Sequence, residues 1–298
     1  MAAHKPSLFA ISLAAALSLP AHALPVALSP LATTSASANG TAGTPDTTTT
    51  PVFAGSTTSE TAPDAGNGWS IAWSNRNGAY AVRSSAEGLA DASSSVRFSY
   101  VITNDSATAL KYSLDFSIAG GSLYTDVSPD APLTGTEFLG SSYAALIKVG
   151  GATRFSSTAS LQQTAAGLAF TRSGTDLSGG ADDGLAGFYD WGTADYRIDL
   201  GVLAAGQSVN VVAEMSASAA ARVGLYDFDC GDVTCAAFKG SAYAFHGDAS
   251  DFFGSAAAGA GVAPFRIVTA SAVPEPASLA LLGTGLLGLA ATRRRIAR

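Results

Sequence analysis

The sequence is poor in charged residues, histidine and cysteine. Charged residues make up 13% of its 298 residues, about half the usual quarter. This scarcity argues against an ordinary helical cytosolic enzyme and against a coiled coil. The net charge of −7 gives no attraction to phosphate backbones, so a nucleic-acid partner is not expected.

Common hydrolase motifs are also missing. The chain has neither the G-x-S-x-G elbow nor H-E-x-x-H. A Ser-His-Asp triad would have to use His246, the only histidine after residue 23. We interpret His246 as a turn residue after a strand, and we assign no catalytic residue. A surface hydrolase built around His246 or a carboxylate pair is the least favoured alternative.

The N-terminus has the pattern of a secretory signal peptide over residues 1–23. A positive start leads into an apolar run that Pro20 breaks, and Ala21 and Ala23 then supply the small-x-small cleavage pattern. The sequence therefore predicts export.

The C-terminus, residues 273–298, combines three features in order. Val273, Pro274, Glu275 and Pro276 form a stiff, extended segment, because two prolines exclude a regular helix interior or a central strand. Residues 277–292 are uncharged and span about 24 Å as a helix, a short transmembrane length. Next comes a basic cluster that stays cytoplasmic: Arg293, Arg294, Arg295 and Arg298.

Together these features resemble the PEP-CTERM sorting signal of Gram-negative bacteria. The resemblance implies that an exosortase recognises the tail while the helix holds the precursor in the inner membrane. It further implies processing near Pro274–Pro276 and delivery to the cell surface or exopolysaccharide matrix. It implies nothing about the fold of the residues before it.

Residues 24–66 are rich in Thr and Ser, and residues 27–66 contain no Lys or Arg. Such a segment buries too little apolar surface to offset its ordering entropy. We therefore predict a disordered linker. It is either a bare spacer or an O-glycosylated stalk.

Residues 67–272 read as about ten short strands separated by Gly, Asn, Asp and Ser. Residues 110–118 alternate apolar and polar, which places one face against a core. No long helical period occurs. The pattern predicts one all-β domain, an antiparallel β-sandwich of Ig-like or jelly-roll-like type.

Cys230 and Cys235 are the only cysteines, and in an exported protein they are expected to form a disulfide. We expect no bound cofactor and no transition-metal site. Two acidic groups are weak Ca²⁺ candidates, although Asp is also a routine turn residue. They are Asp227, Asp229 and Asp232, and Asp182, Asp183 and Asp190.

Trp69, Trp73 and Trp191 are candidate glycan contacts, because exposed aromatic rings stack on sugars. Trp69 and Trp73 are four residues apart, hence on one strand face. That face is either a binding strip or part of the core, and large aromatics favour the core.

The sequence therefore predicts an exported structural or adhesive protein of the cell surface or extracellular matrix. A carbohydrate-binding module for exopolysaccharide is the alternative. Exposure of the three tryptophans separates the two hypotheses.

Overall fold

A computed structural model shows the chain as an all-β protein. The structure describes residues 31–39, 41–42, 52–59, 66–74, 80–177, 187–231, 234–247 and 265–272. Within these ranges every regular element is a strand and every strand pair is antiparallel. The all-β, antiparallel prediction is thus confirmed.

Eighteen strands follow one another along the described ranges. They are β1 (Leu31–Ala38), β2 (Thr41–Ala42), β3 (Val52–Ser59), β4 (Asn67–Ser74), β5 (Tyr80–Glu87), β6 (Leu89–Thr103), β7 (Leu110–Ile118), β8 (Gly121–Val127), β9 (Phe138–Val149), β10 (Ala152–Thr164), β11 (Gly167–Gly174), β12 (Phe188–Trp191), β13 (Ala194–Leu203), β14 (Ser208–Arg222), β15 (Leu225–Asp229), β16 (Thr234–Phe238), β17 (Gly240–Gly247) and β18 (Phe265–Ala272).

The strands form two large sheets and two small ones. The larger sheet has the order β11-β10-β9-β14-β6-β1-β2, and a second has the order β12-β8-β17-β5-β4-β3. Their inward faces share one hydrophobic core. A three-stranded sheet, β13-β7-β18, joins this core where Phe116 of β7 packs edge-on against Phe155 of β10, with ring centroids 5.2 Å apart. β15 and β16 form a separate ribbon.

The structure differs from the predicted linker over residues 24–66. Residues 31–38 form β1, which pairs along β6, and residues 52–59 form β3, which pairs along β4. In β1, Thr34, Ala36 and Ala38 are buried. The existing sheets offer open edges, and backbone pairing there orders a segment that lacks large apolar side chains.

Small inward side chains let the two large sheets approach closely near β4 and β5. The Ser70 hydroxyl of β4 donates to the Ser37 carbonyl of β1, 2.8 Å away in the opposite sheet. The Ser84 hydroxyl of β5 likewise donates to the Ala217 carbonyl of β14 at 3.0 Å. A serine side chain reaches only one bond beyond Cβ. The backbones are therefore too close here for large residues between the sheets.

The outward face of the seven-stranded sheet is lined with hydroxyl groups. Register pairing places these side chains strand by strand in two adjacent lines. Neighbouring hydroxyls bond to each other, as in the 2.7 Å contacts of Ser142 with Ser218 and of Ser160 with Thr171. One line holds Ser37, Ser93, Ser218, Ser142, Ser160 and Thr171; the other holds Ser35, Ser95, Ser216, Ala144, Thr158 and Ser173.

Gly121, the first residue of β8, provides a direct test of the packing. A Cβ at this position would overlap the Trp191 ring and the Phe245 carbonyl oxygen, whereas a Cβ on Gly192 would meet no atom within 4 Å. We expect Gly121→Ala to lower the free energy of unfolding by about 1–3 kcal/mol, as overpacking does. Gly192→Ala is the matched control and should leave thermal unfolding nearly unchanged. Equal melting temperatures for the two variants would contradict this packing.

Candidate functional site

The outward face of the six-stranded sheet carries a line of aromatic side chains. Register pairing joins Trp69 of β4 to Ser85 of β5, Ser85 to Tyr243 of β17, Tyr243 to Tyr124 of β8, and Tyr124 to Phe188 of β12. We call these five residues the aromatic row. At about 4.8 Å per strand, the row extends about 19 Å across the sheet.

The side chains of the aromatic row are partly accessible to solvent. Trp69, Ser85, Tyr243 and Tyr124 are half-buried, and Phe188 is 36% exposed. The Tyr124 and Phe188 rings meet edge to face, with centroids 6.2 Å apart. The row is therefore a surface of ring edges and faces rather than part of the core.

Arg83 lies between two rings of the row. Its guanidinium carbon is 4.7 Å from the centroid of the Trp69 ring and 4.9 Å from that of the Tyr243 ring. Two cation–π contacts of this kind hold both rings in place. Burial raises the pKa of the Tyr243 hydroxyl, which the Arg83 charge partly opposes. The hydroxyl therefore stays protonated at neutral pH and able to donate a hydrogen bond.

A second line of outward residues lies beside the aromatic row. Ile71, Arg83, Phe245, Ser122 and Asp190 follow one another across β4, β5, β17, β8 and β12. All five are half-buried. This line adds hydroxyl, carboxylate and guanidinium groups next to the rings, so the face combines apolar surfaces with hydrogen-bonding groups.

The structure separates the three tryptophans that the sequence grouped. Trp69 and Trp73 lie on the same outward face of β4 and are half-buried. Trp191 is 3% exposed, and its indole Nε1 donates to the Ala119 carbonyl at 3.1 Å. Trp191 is thus a core residue, because on β12 the side chains of Tyr189 and Trp191 point inward while Phe188 and Asp190 point outward.

His246 lies in the core beside Trp191, not in a turn. It falls within β17, is 0% exposed, and shares a 2.8 Å hydrogen bond between its Nε2 and the Tyr80 hydroxyl. The rings of Tyr80, Tyr143 and Trp191 surround it, with centroids 5.2–5.7 Å away. Burial lowers the pKa of His246 to about 3. A neutral, enclosed imidazole of this kind stabilises the core and offers no access to a substrate.

Glu137 is an anchor that the sequence patterns did not reveal. Its carboxylate accepts hydrogen bonds from the Gly224 amide at 2.9 Å, the Thr134 amide at 2.8 Å and the Lys239 ammonium at 3.0 Å. Burial acts to raise the pKa of Glu137, but these bonds outweigh it and lower the pKa to about 2. The residue ties the β8–β9 loop to the chain on both sides of the β15–β16 ribbon.

The cysteine pair and the acidic groups are placed separately from the aromatic row. Cys230 and Cys235 form a disulfide, with Cα atoms 5.9 Å apart, at the end of the β15–β16 ribbon. Among the described residues, no three His, Cys, Asp or Glu side chains gather into a metal-binding group. Asp227 and Asp229 lie on exposed β15, Asp190 lies on the aromatic face, and Asp182, Asp183 and Asp232 fall outside the described residues.

Both terminal signals also fall outside the described residues. These include Ala21 and Ala23, Val273–Pro276 and the cluster Arg293, Arg294, Arg295 and Arg298. Where the chain is described, no helix is long and apolar enough to cross a membrane, and the predicted span 277–292 lies beyond that part.

Comparison with known proteins identifies the C-terminal segment. Residues 272–295 match the family model of the PEP-CTERM protein-sorting motif. No curated protein matches the chain in a sequence search. The chain therefore carries a sorting motif associated with exosortase processing. The motif implies an exported, membrane-anchored precursor that is processed at its C-terminus.

The pKa of His246 predicts a specific pH dependence of stability. The unfolded chain binds a proton at its ordinary pKa of about 6.5, whereas the folded chain binds it only near pH 3. The free energy of unfolding should therefore be full above pH 6.5 and fall as the pH drops toward 3. The loss should reach about 2 kcal/mol by pH 4.5.

Thermal melts of the processed chain and of His246→Gln at pH 7 and pH 4.5 measure this loss. The variant cannot titrate here, so its melting temperature should fall less between the two pH values. After removal of residues 1–23, His246 is also the only histidine, so its ring signals can be followed by NMR. An imidazole that titrates near pH 6.5 in the folded protein would contradict the assignment.

Proposed function

We propose that the chain is an exported protein of the cell surface or extracellular matrix with a structural or adhesive, non-enzymatic role. The observation that carries the proposal is the sorting motif at residues 272–295. This motif begins where β18 (Phe265–Ala272), paired along β7, ends. A folded β-body thus directly precedes a segment that is read and processed at the membrane.

In this proposal the two ends act at different stages. Residues 1–23 direct export and are cleaved after Ala23. The helix at 277–292 then holds the precursor in the inner membrane, with its arginines in the cytoplasm. An exosortase-type enzyme processes the chain near Pro274–Pro276, and the body passes to the surface or to the exopolysaccharide matrix.

The body supports this role as a β-sandwich of Ig-like or jelly-roll-like type. Its two large sheets share one core, and the acidic surface favours solubility outside the cell. Residues 24–272 carry 11 Lys and Arg against 22 Asp and Glu, which repels anionic polymers unless cations bridge them.

A carbohydrate-binding module is the second candidate function. The aromatic row favours it, because half-buried rings next to hydroxyl and carboxylate groups are the surface that sugars require. The surface hydrolase is not favoured, since His246 is enclosed and bonded to Tyr80.

Replacement of Pro274, Glu275 and Pro276 by alanine tests the sorting assignment. The alanine segment lets the adjoining helix continue instead of presenting a stiff, extended site. We expect the precursor to accumulate in the inner membrane, measured by fractionation and by the mass of the C-terminal peptide. Ser278→Ala, two residues beyond the motif, is the control and should be processed normally. Normal processing of the triple variant would refute the assignment.

A further inference from the structure

We propose that the aromatic row is a binding site for a neutral, linear polysaccharide whose sugars are joined through equatorial bonds. The inference rests on the proposed export of the protein, since such polymers lie outside the membrane. It also goes beyond that proposal, because it assigns a site and a ligand class.

The first argument is the linear shape of the row. Trp69, Tyr243, Tyr124 and Phe188 occupy register-matched positions on β4, β17, β8 and β12. They run across the strands for about 19 Å. A straight row on an open sheet face, unlike an enclosed pocket, suits an internal segment of a long chain.

The second argument is the chemistry of the face. Aromatic rings stack on the C–H faces of pyranose rings, and an extended chain with equatorial linkages presents such faces repeatedly. The adjacent hydroxyls of Ser85 and Ser122 and the Asp190 carboxylate supply donors and acceptors for sugar hydroxyls. Sites that combine rings with a few polar groups are typical of small-molecule recognition.

The third argument is charge. Arg83 is held between Trp69 and Tyr243, while Glu87, Asp126 and Asp190 are outward residues of the same sheet face. One cation against three carboxylates repels polyanions, including acidic polysaccharides and nucleic acids. A neutral polymer meets no such repulsion.

The rings are also rigidly placed before any ligand arrives. Trp69 and Tyr243 are fixed by the guanidinium between them, and Tyr124 and Phe188 by their edge-to-face contact. A preorganised surface loses less side-chain entropy on binding. This makes stacking effective even on a shallow face.

Binding of the full-length chain in detergent micelles to a panel of polysaccharides tests the proposal. The neutral linear probes are cellulose, β-mannan and curdlan, and alginate is the anionic probe. We expect retention on at least one neutral polymer and none on alginate. Failure to bind every neutral polymer, or tighter binding to alginate, would overturn the proposal.

A matched pair of variants locates the site. Phe188→Ala removes a ring of the row, and Phe228→Ala removes a ring of similar exposure, 40% against 36%, on the separate β15–β16 ribbon. We expect Phe188→Ala and Trp69→Ala each to weaken binding about tenfold, the scale of one stacked ring. Phe228→Ala should bind like the wild type. Equal effects of Phe188→Ala and Phe228→Ala would overturn the site.

Two further readings separate the remaining outcomes. Unchanged melting temperatures of the ring variants exclude loss of the fold as the cause of weaker binding. Sedimentation of the micelle-bound chain tests self-association, and an oligomer that Trp69→Ala disperses, without polysaccharide binding, would assign the row to a second copy instead. Loss of binding with normal processing overturns only this site, whereas normal binding with failed sorting overturns only the proposed export route.

Discussion

The close approach of the two large sheets across small side chains determines where the large aromatic residues lie. Ser70 and Ser84 reach the backbone of the opposite sheet with a single hydroxyl each, and Ala72 between their strands is fully buried. Because successive side chains of a strand alternate between faces, β4 must direct Trp69 and Trp73 outward. The surface chemistry of one sheet is thus a consequence of how tightly it packs on the other.

The two outer faces of the protein therefore differ in character. The seven-stranded sheet presents hydroxyl groups that bond to one another across neighbouring strands, such as Ser142 with Ser218. The six-stranded sheet presents rings, with Arg83 fixing two of them. Large rings also fill the interior where the sheets are further apart, as at Tyr143 and Trp191, whose centroids lie 4.1 Å apart. The same residue types thus serve the core at one end and the surface at the other.

The sequence predicted the strands well because their alternation is local. Residues 110–118 were predicted as one strand and form β7 with those limits. Alternation does not show which face is inward, since that depends on the partner sheet. Trp69 and Trp73 were therefore assigned correctly to one face but could not be placed outside. Trp191 could not be placed inside for the same reason, and His246 could not be recognised as a core residue. The pairing of β1 with β6 was missed because it depends on an open sheet edge rather than on the composition of residues 31–38.

Oxidative labelling of tryptophan, read residue by residue with mass spectrometry, tests the central constraint most directly. It needs no substitution, because the chain holds only three tryptophans. If small inward residues force the rings of β4 outward, Trp69 and Trp73 are oxidised much faster than Trp191 in the folded protein. Protection of Trp69 and Trp73 to the same degree as Trp191 would place all three in the core and contradict the account.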